Sequence, residues 1–164
     1  MNSVSLKNSD LELHVLNEDY FALKVVNDSS VESTKYVEFC FGDTDLLEFS
    51  LDRESNIIKK FLLVLCNHFE VLDMDFCSYT DCESGCISID LPQHNDCNSF
   101  SVRVYRNAVD IVLSNESVKR TIKCGQVLFG LSCDSDLVKV TVIEMAADEV
   151  EHTVEELKLG IAND

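Results

Sequence analysis

The segment 45–65 constrains the fold more than any other, because its pattern is that of a β-hairpin. In its first half, apolar residues occupy every second position, at Leu47, Phe49 and Leu51. This period of two is typical of a half-buried strand. A polar break at 52–56, rich in turn-forming residues, is followed by an almost continuous apolar run. We therefore predict a hairpin whose second strand lies deep in a sheet and is covered on both faces.

Alternation of the same kind recurs between residues 11 and 145, in short segments separated by polar loops. These segments give about ten strands, at the regular spacing expected of antiparallel sheets. Three assignments are less regular: a strand over 69–76 that contains three acids, a polar loop over 93–98, and an edge strand over 118–123. The cations of the last segment would protect a sheet edge from further pairing.

The tail of the chain has a different period. Val150, Val154 and Leu157 fall at i, i+4 and i+7, which places them on one face of a helix. Acidic residues crowd the start of this segment and Gly160 follows it, as the helix dipole and a C-cap favour. We predict a mainly β protein (a β-rich α+β fold), an antiparallel sandwich or a strongly curved or closed sheet of about ten strands, with one C-terminal helix over about 147–159.

The length of 164 residues fits a single domain, 1–164, and the composition is strongly acidic. Thirteen Lys and Arg against thirty Asp and Glu give a formal net charge of −17. Such a charge repels nucleic acid and anionic membranes and attracts a basic partner. The acids are concentrated in two runs without Lys or Arg, 61–102 and 140–157. Acidity that serves solubility alone is the alternative explanation.

We predict that the first of these runs supplies a partner-binding surface. Its candidate residues are seven acids and one aromatic residue: Glu70, Asp73, Asp75, Tyr79, Asp81, Glu83, Asp90 and Asp96. Carboxylates would raise the association rate and the specificity, and Tyr79 would be the anchor that supplies binding energy. The second run is the alternative interface, with Glu144, Asp148, Glu149, Glu151, Glu155 and Glu156.

Eight cysteines raise the question of a disulfide framework or a metal site. Residues 1–8 contain no apolar region of a secretory signal, so we expect a cytoplasmic protein with free thiols. Zinc is the alternative, since loop cysteines and a histidine can hold it tetrahedrally. The candidate ligands are Cys77, Cys82, Cys86, His94 and Cys97. The chain contains no CxxC pair, the usual unit of structural zinc sites, so we predict no metal and no cofactor.

Catalysis is the weaker class of function. Cys66 and His68, two positions apart on a strand, would share one face, and Cys97 with His94 is a second possible nucleophile and base. However, the chain contains none of the local signatures of proteases, hydrolases or nucleotide-binding enzymes. Carboxylates are so abundant that no pair stands out as an acid and base. We predict that the protein is not an enzyme.

The hairpin also carries a family resemblance. The run Phe41–Asp52, followed by Ser55–Lys60 and an apolar strand, resembles small bacterial immunity proteins of contact-dependent growth inhibition and related polymorphic toxin systems. The resemblance implies a non-catalytic cytoplasmic antidote that binds one cognate toxin C-terminal domain, basic and often a nuclease, one-to-one. The net charge argues against a nucleic-acid or membrane partner. The alternative is a β-barrel or sandwich module that binds a small ligand or a structural metal.

Overall fold

The computed structural model describes residues 3–7, 11–18, 20–27, 34–77, 81–90, 94–96 and 100–162, with the backbone alone at 3, 94–96 and 162. These residues form fifteen strands and one helix. In chain order they are β1 (Ser3–Lys7), β2 (His14–Val15), β3 (Leu23–Val26), β4 (Thr34–Phe41), β5 (Asp45–Asp52), β6 (Ile58–Leu65), β7 (Phe69–Val71), β8 (Glu83–Ser84), β9 (Cys86–Asp90), β10 (His94–Asp96), β11 (Ser101–Val104), β12 (Val109–Val112), β13 (Arg120–Cys124), β14 (Val127–Leu131), β15 (Leu137–Val142) and α1 (Ala147–Ala162).

The strands form three sheets. One has six strands in the order β10-β4-β5-β6-β3-β2, one has seven in the order β7-β11-β12-β15-β14-β13-β8, and β1 pairs with β9 alone. In the described residues both larger sheets have two edges, so neither closes on itself. The mainly β architecture with one C-terminal helix is confirmed, and the layout is open rather than closed.

The inward-facing residues of both larger sheets form one hydrophobic core. Phe49 and Phe61 of the six-stranded sheet are fully buried, with ring centroids 5.7 Å apart. They belong to the same cluster as Ile111, Phe129 and Val140 of the seven-stranded sheet. Two sheets whose alternate residues interdigitate in this way form a β-sandwich.

The predicted hairpin is β5 and β6. Leu47, Phe49 and Leu51 of β5 are buried as expected, although Ser50 is buried as well and interrupts the alternation. The turn is held by the Asp52 carboxylate, whose Oδ1 accepts hydrogen bonds from the Ser55 amide at 2.9 Å and the Glu54 amide at 3.1 Å. β6 lies inside the sheet, between β5 and β3. Only its middle is covered on both faces, since Phe61 to Leu63 are buried whereas Val64 and Leu65 are partly exposed.

Short parallel strands at the sheet edges account for the local errors of the sequence prediction. The segment predicted as a strand over 69–76 is a strand only to Val71, and the segment predicted as a loop over 93–98 contains β10. β13 is covered by β8 and is therefore not an edge strand. The strands β7, β8 and β10 each pair in parallel with a strand distant in sequence. Their partners supply the hydrogen bonds, so local alternation does not indicate them.

The helix extends further than the sequence predicted. Val150, Val154 and Leu157 pack against the core as expected, but Gly160 lies inside the helix rather than at its C-cap. A Cβ at this position would be 3.1 Å from Leu65 Cδ2, so the glycine allows the helix to lie close to the end of β6. In the described residues no helix is long and apolar enough to span a membrane.

Candidate functional site

The structure separates the acids that were predicted to form one surface. Glu70 lies in β7 and Glu83 in β8, at opposite edges of the seven-stranded sheet. Six strand spacings of about 4.8 Å place these edges roughly 29 Å apart. The others are placed as follows: Asp73 and Asp75 follow β7, Asp81 precedes β8, Asp90 ends β9 of the two-stranded sheet, Asp96 ends β10 with only its backbone described, and Tyr79 lies outside the described residues.

Arginines from later in the chain reach two of the predicted acids. Arg106 Nη2 is 2.8 Å from Asp73 Oδ1, and Arg120 Nη2 donates to Glu83 Oε2 at 2.8 Å. The hydrogen bonds from Arg120 lower the pKa of the Glu83 carboxyl group. A run without cations in the sequence is therefore not free of cations in the fold, because neighbouring strands contribute their own.

One part of the predicted surface is nevertheless held in a defined arrangement. Residues 70–76, which we call the strap, comprise the end of β7 and the segment after it, and they lie along the hairpin formed by β11 and β12. Glu70, Asp73 and Asp75 are exposed on it. Beyond its pairing with β11, the strap is attached by main-chain groups, with hydrogen bonds from Leu72 N to Val104 O at 2.8 Å, from Arg106 N to Met74 O at 3.1 Å, and from Phe76 N to Asn107 Oδ1 at 2.7 Å.

A buried ion pair lies beneath the end of the strap. The Phe76 ring packs against Tyr105, with centroids 5.3 Å apart, and Lys139 Nζ is 5.8 Å from the Phe76 centroid. The same Nζ is 2.8 Å from Oδ2 of Asp110, a residue with no exposed surface. Oδ1 of Asp110 accepts a hydrogen bond from Thr141 Oγ1 at 2.6 Å. The aromatic ring and the ion pair together fix the strap to the outer face of the sheet.

The strap carries exposed apolar side chains beside its acids. Val71 is 54% exposed and Met74 is 55% exposed, although both belong to a segment whose backbone is fixed. A fixed backbone lowers the ordering cost of binding, and apolar side chains supply contact energy that carboxylates do not. The strap therefore combines features that a protein-binding surface needs.

The second acidic run forms a continuous stripe on α1. Asp148, Glu151 and Glu155 are exposed and lie three and four residues apart, which places them on one helical face. We call these three residues the helix stripe. In the described part of the chain, no cation lies within ion-pairing distance of them.

The other acids of that run have different environments. Glu149 Oε2 accepts a hydrogen bond from the Ala146 amide at 2.8 Å and so caps the helix N-terminus. Glu144 Oε1 is 3.3 Å from Lys123 Nζ. Glu156 is partly buried. The stripe is therefore the part of the second run that is most available to a partner.

Asn107 brings the strap and the helix together. Its side-chain Oδ1 accepts the Phe76 amide at 2.7 Å, and its main-chain oxygen accepts the Met145 amide at 3.0 Å. The end of the strap and Met145, two residues before α1, therefore adjoin one residue, which brings the two acidic runs of the sequence close to each other at this point. We call the strap and the helix stripe together the acidic face. In the sequence, Asn107 is marked only by its place in a polar break between two alternating segments.

The pair Cys66 and His68 does not have the geometry of an activated nucleophile, and the side chains of the second predicted pair, Cys97 and His94, are not among those that the structure describes. The Cys66 thiol is buried and donates to the His68 main-chain oxygen at 3.3 Å. Burial raises its pKa to about 12, the opposite of what a thiolate nucleophile needs. The His68 ring instead faces Asp45, with Nδ1 3.7 Å from Oδ2.

The candidate zinc ligands do not share one environment. Cys86 is buried, whereas Cys77 and Cys82 are exposed. His94 has only its backbone described, and Cys97 lies outside the described residues. Where side chains are described, no group of three His, Cys, Asp or Glu residues could hold a metal ion.

One cavity among the described residues has a volume of about 610 Å³. It lies between the segments 11–14 and 123–126, and polar residues and main chain form most of its lining. Pockets for small molecules are usually lined by apolar and aromatic side chains. This cavity therefore gives little support to the small-ligand alternative.

No protein-family model matches the chain, and no curated protein matches it.

Proposed function

We propose that the protein is a non-catalytic, cytoplasmic immunity protein that binds the basic C-terminal domain of one cognate toxin, one-to-one, and neutralises it. The observation that carries this proposal is that Asn107 binds both the end of the strap and Met145, three residues before the helix stripe. We infer that the two acidic runs of the sequence contribute to one surface. The proposal includes no nucleic-acid or membrane partner, because the charge that attracts a basic protein repels both.

The dimensions of the acidic face suit a protein partner. Sixteen helical residues at about 1.5 Å each give α1 a length of roughly 24 Å, and the end of the strap adjoins the segment just before the helix through Asn107. A standard protein interface buries about 800 Å² on each partner. The helix and strap provide the length that such a contact requires.

Charge and apolar contacts would contribute to binding in different ways. The net charge of −17 steers a basic domain toward the protein and accelerates association. Val71 and Met74 on the strap would supply contacts that persist at high salt. A nuclease is a fitting toxin, since its phosphate-binding cleft is basic and carboxylates can take the place of phosphates there.

The proposal is tested with the C-terminal domain of the protein encoded immediately upstream. Calorimetry should give a one-to-one complex with the wild-type chain, and the affinity should fall as salt rises. The double variant Glu151→Lys, Glu155→Lys should bind about 100-fold more weakly, because like charges facing each other cost several kcal/mol.

A matched control distinguishes an effect of the acidic face on binding from an effect of the net charge. The double variant Glu54→Lys, Glu116→Lys makes the same change in net charge, from −17 to −13. Its two positions are exposed and lie in the β5–β6 turn and in the loop before β13. This variant should bind within about threefold of wild type, since distant charges act mainly on the association rate. An equal loss in both double variants would show that the acidic face is not the interface. No binding by the wild-type chain would refute the immunity function.

A further inference from the structure

The turn before β3 contains an aromatic residue whose backbone has an unusual conformation. Tyr20 is 87% exposed, more than any other large hydrophobic residue whose side chain is described. Its φ is +76°, in the left-handed region that residues with a Cβ rarely adopt. Strained backbone of this kind persists where the surrounding structure enforces it, often at binding sites.

The surrounding structure here is the C-terminal helix. His152 Nε2 lies 3.2 Å from Glu18 O and 3.3 Å from Phe21 O. Both partners are carbonyl oxygens, so Nε2 carries the proton and donates to them. The Glu18 carboxylate is also paired with Lys24 Nζ. The chain is thus held on both sides of Tyr20, while the ring itself is left in solvent.

The same contact places the turn beside the helix stripe. Asp148 is four residues before His152 and Glu155 is three residues after it. Residues at these spacings are neighbours on a helix surface, with Cβ atoms about 5–6 Å apart. Both carboxylates are exposed. Tyr20 therefore lies next to a part of the acidic face that has charge but no aromatic side chain of its own.

We propose that Tyr20 is the aromatic anchor of the acidic face, and that its ring stacks on an arginine side chain of the basic partner. This inference rests on the proposed function and names the chemistry that the partner presents. A guanidinium group is planar and stacks on an aromatic ring, while the neighbouring carboxylates of Asp148 and Glu155 compensate its charge. An exposed aromatic residue on a fixed turn loses little freedom on binding.

The test compares two variants of Tyr20 with octa-arginine and octa-lysine peptides as probes. Tyr20→Phe keeps the ring and should bind octa-arginine within about twofold of wild type. Tyr20→Gly removes the ring and should bind it about two- to fivefold more weakly, with a smaller change for octa-lysine. Because glycine adopts positive φ without strain, the Tm of this variant should not fall. Tyr36→Ala, a half-exposed tyrosine on β4, is the control and should leave binding unchanged.

Three results would overturn the inference. They are octa-arginine binding by Tyr20→Gly that equals wild type, a loss in Tyr20→Phe as large as in Tyr20→Gly, and a loss in Tyr36→Ala of the same size. Binding to the upstream-encoded toxin domain shows whether only the role of Tyr20 is wrong or the proposed function is wrong as well. If wild type and Tyr20→Gly bind that domain equally, only the role of Tyr20 is wrong. If wild type does not bind it, the immunity function is wrong.

Discussion

Replacing Lys139 with methionine should destabilise the protein strongly. The change keeps the length and apolar contacts of the side chain but removes the cation that is 2.8 Å from Asp110 Oδ2. The Asp110 carboxylate has no exposed surface and would keep only the hydrogen bond from Thr141. Removing one partner of a buried ion pair costs about 3–5 kcal/mol, because the other charge remains buried without compensation. We expect the free energy of unfolding to fall by that amount.

Two further variants test whether burial of the ion pair is the cause of this destabilisation. Lys123→Met removes a cation from the exposed pair with Glu144, whose atoms are 3.3 Å apart, and should cost about 0–1 kcal/mol. Adding Asp110→Asn to Lys139→Met removes the buried charge and should restore part of the lost stability. Urea denaturation, with m-values checked for constancy, measures all three. If Lys139→Met and Lys123→Met cost the same, the pair beneath the strap is not buried and the strap is not fixed as described.

Two other predictions concern the core of the fold. Gly125→Ala should lower the free energy of unfolding by roughly 3 kcal/mol or more, since its Cβ would lie 2.3 Å from Leu13 O. Gly42→Ala, with a similar φ but open space around it, should cost only about 1 kcal/mol, and equal costs in urea denaturation would contradict the close approach at Gly125. In the native protein at about pH 8, Cys66 should resist iodoacetamide, because a pKa raised to about 12 leaves roughly one thiol in 10,000 ionised. The exposed Cys133 should react, and peptide mass spectrometry showing equal modification of both would refute the burial of Cys66.

Local periodicity was enough to predict the main elements of the fold. Leu47, Phe49 and Leu51 alternate because one face of β5 is buried, and Val150, Val154 and Leu157 repeat at helical spacing because one face of α1 packs on the core. The period of the apolar residues indicates which side of a strand or helix is buried, and it does so without regard to which part of the chain packs there. The end of the helix was missed because packing against Leu65, rather than capping, determines the place of Gly160.

The candidate site was predictable only in part. Glu70, Asp73 and Asp75 were predicted as binding residues from their charge; the structure places these three on one segment, the strap, and their role in binding stays a prediction. The strap itself and its attachment to Asn107 depend on contacts between residues about 30 positions apart, which no local pattern records. Pairing of Asp73 with Arg106 has the same origin.

The central claim is that the strap and the helix stripe form one interface for a basic toxin domain. Amide chemical shifts of the isotope-labelled protein, followed during titration with the upstream-encoded toxin domain, test it most directly. We predict that signals of residues 70–76 and 148–155 change together, with a single dissociation constant, while those of the β5–β6 turn stay unchanged. Changes confined to one of the two segments, or centred on that turn, would contradict the claim.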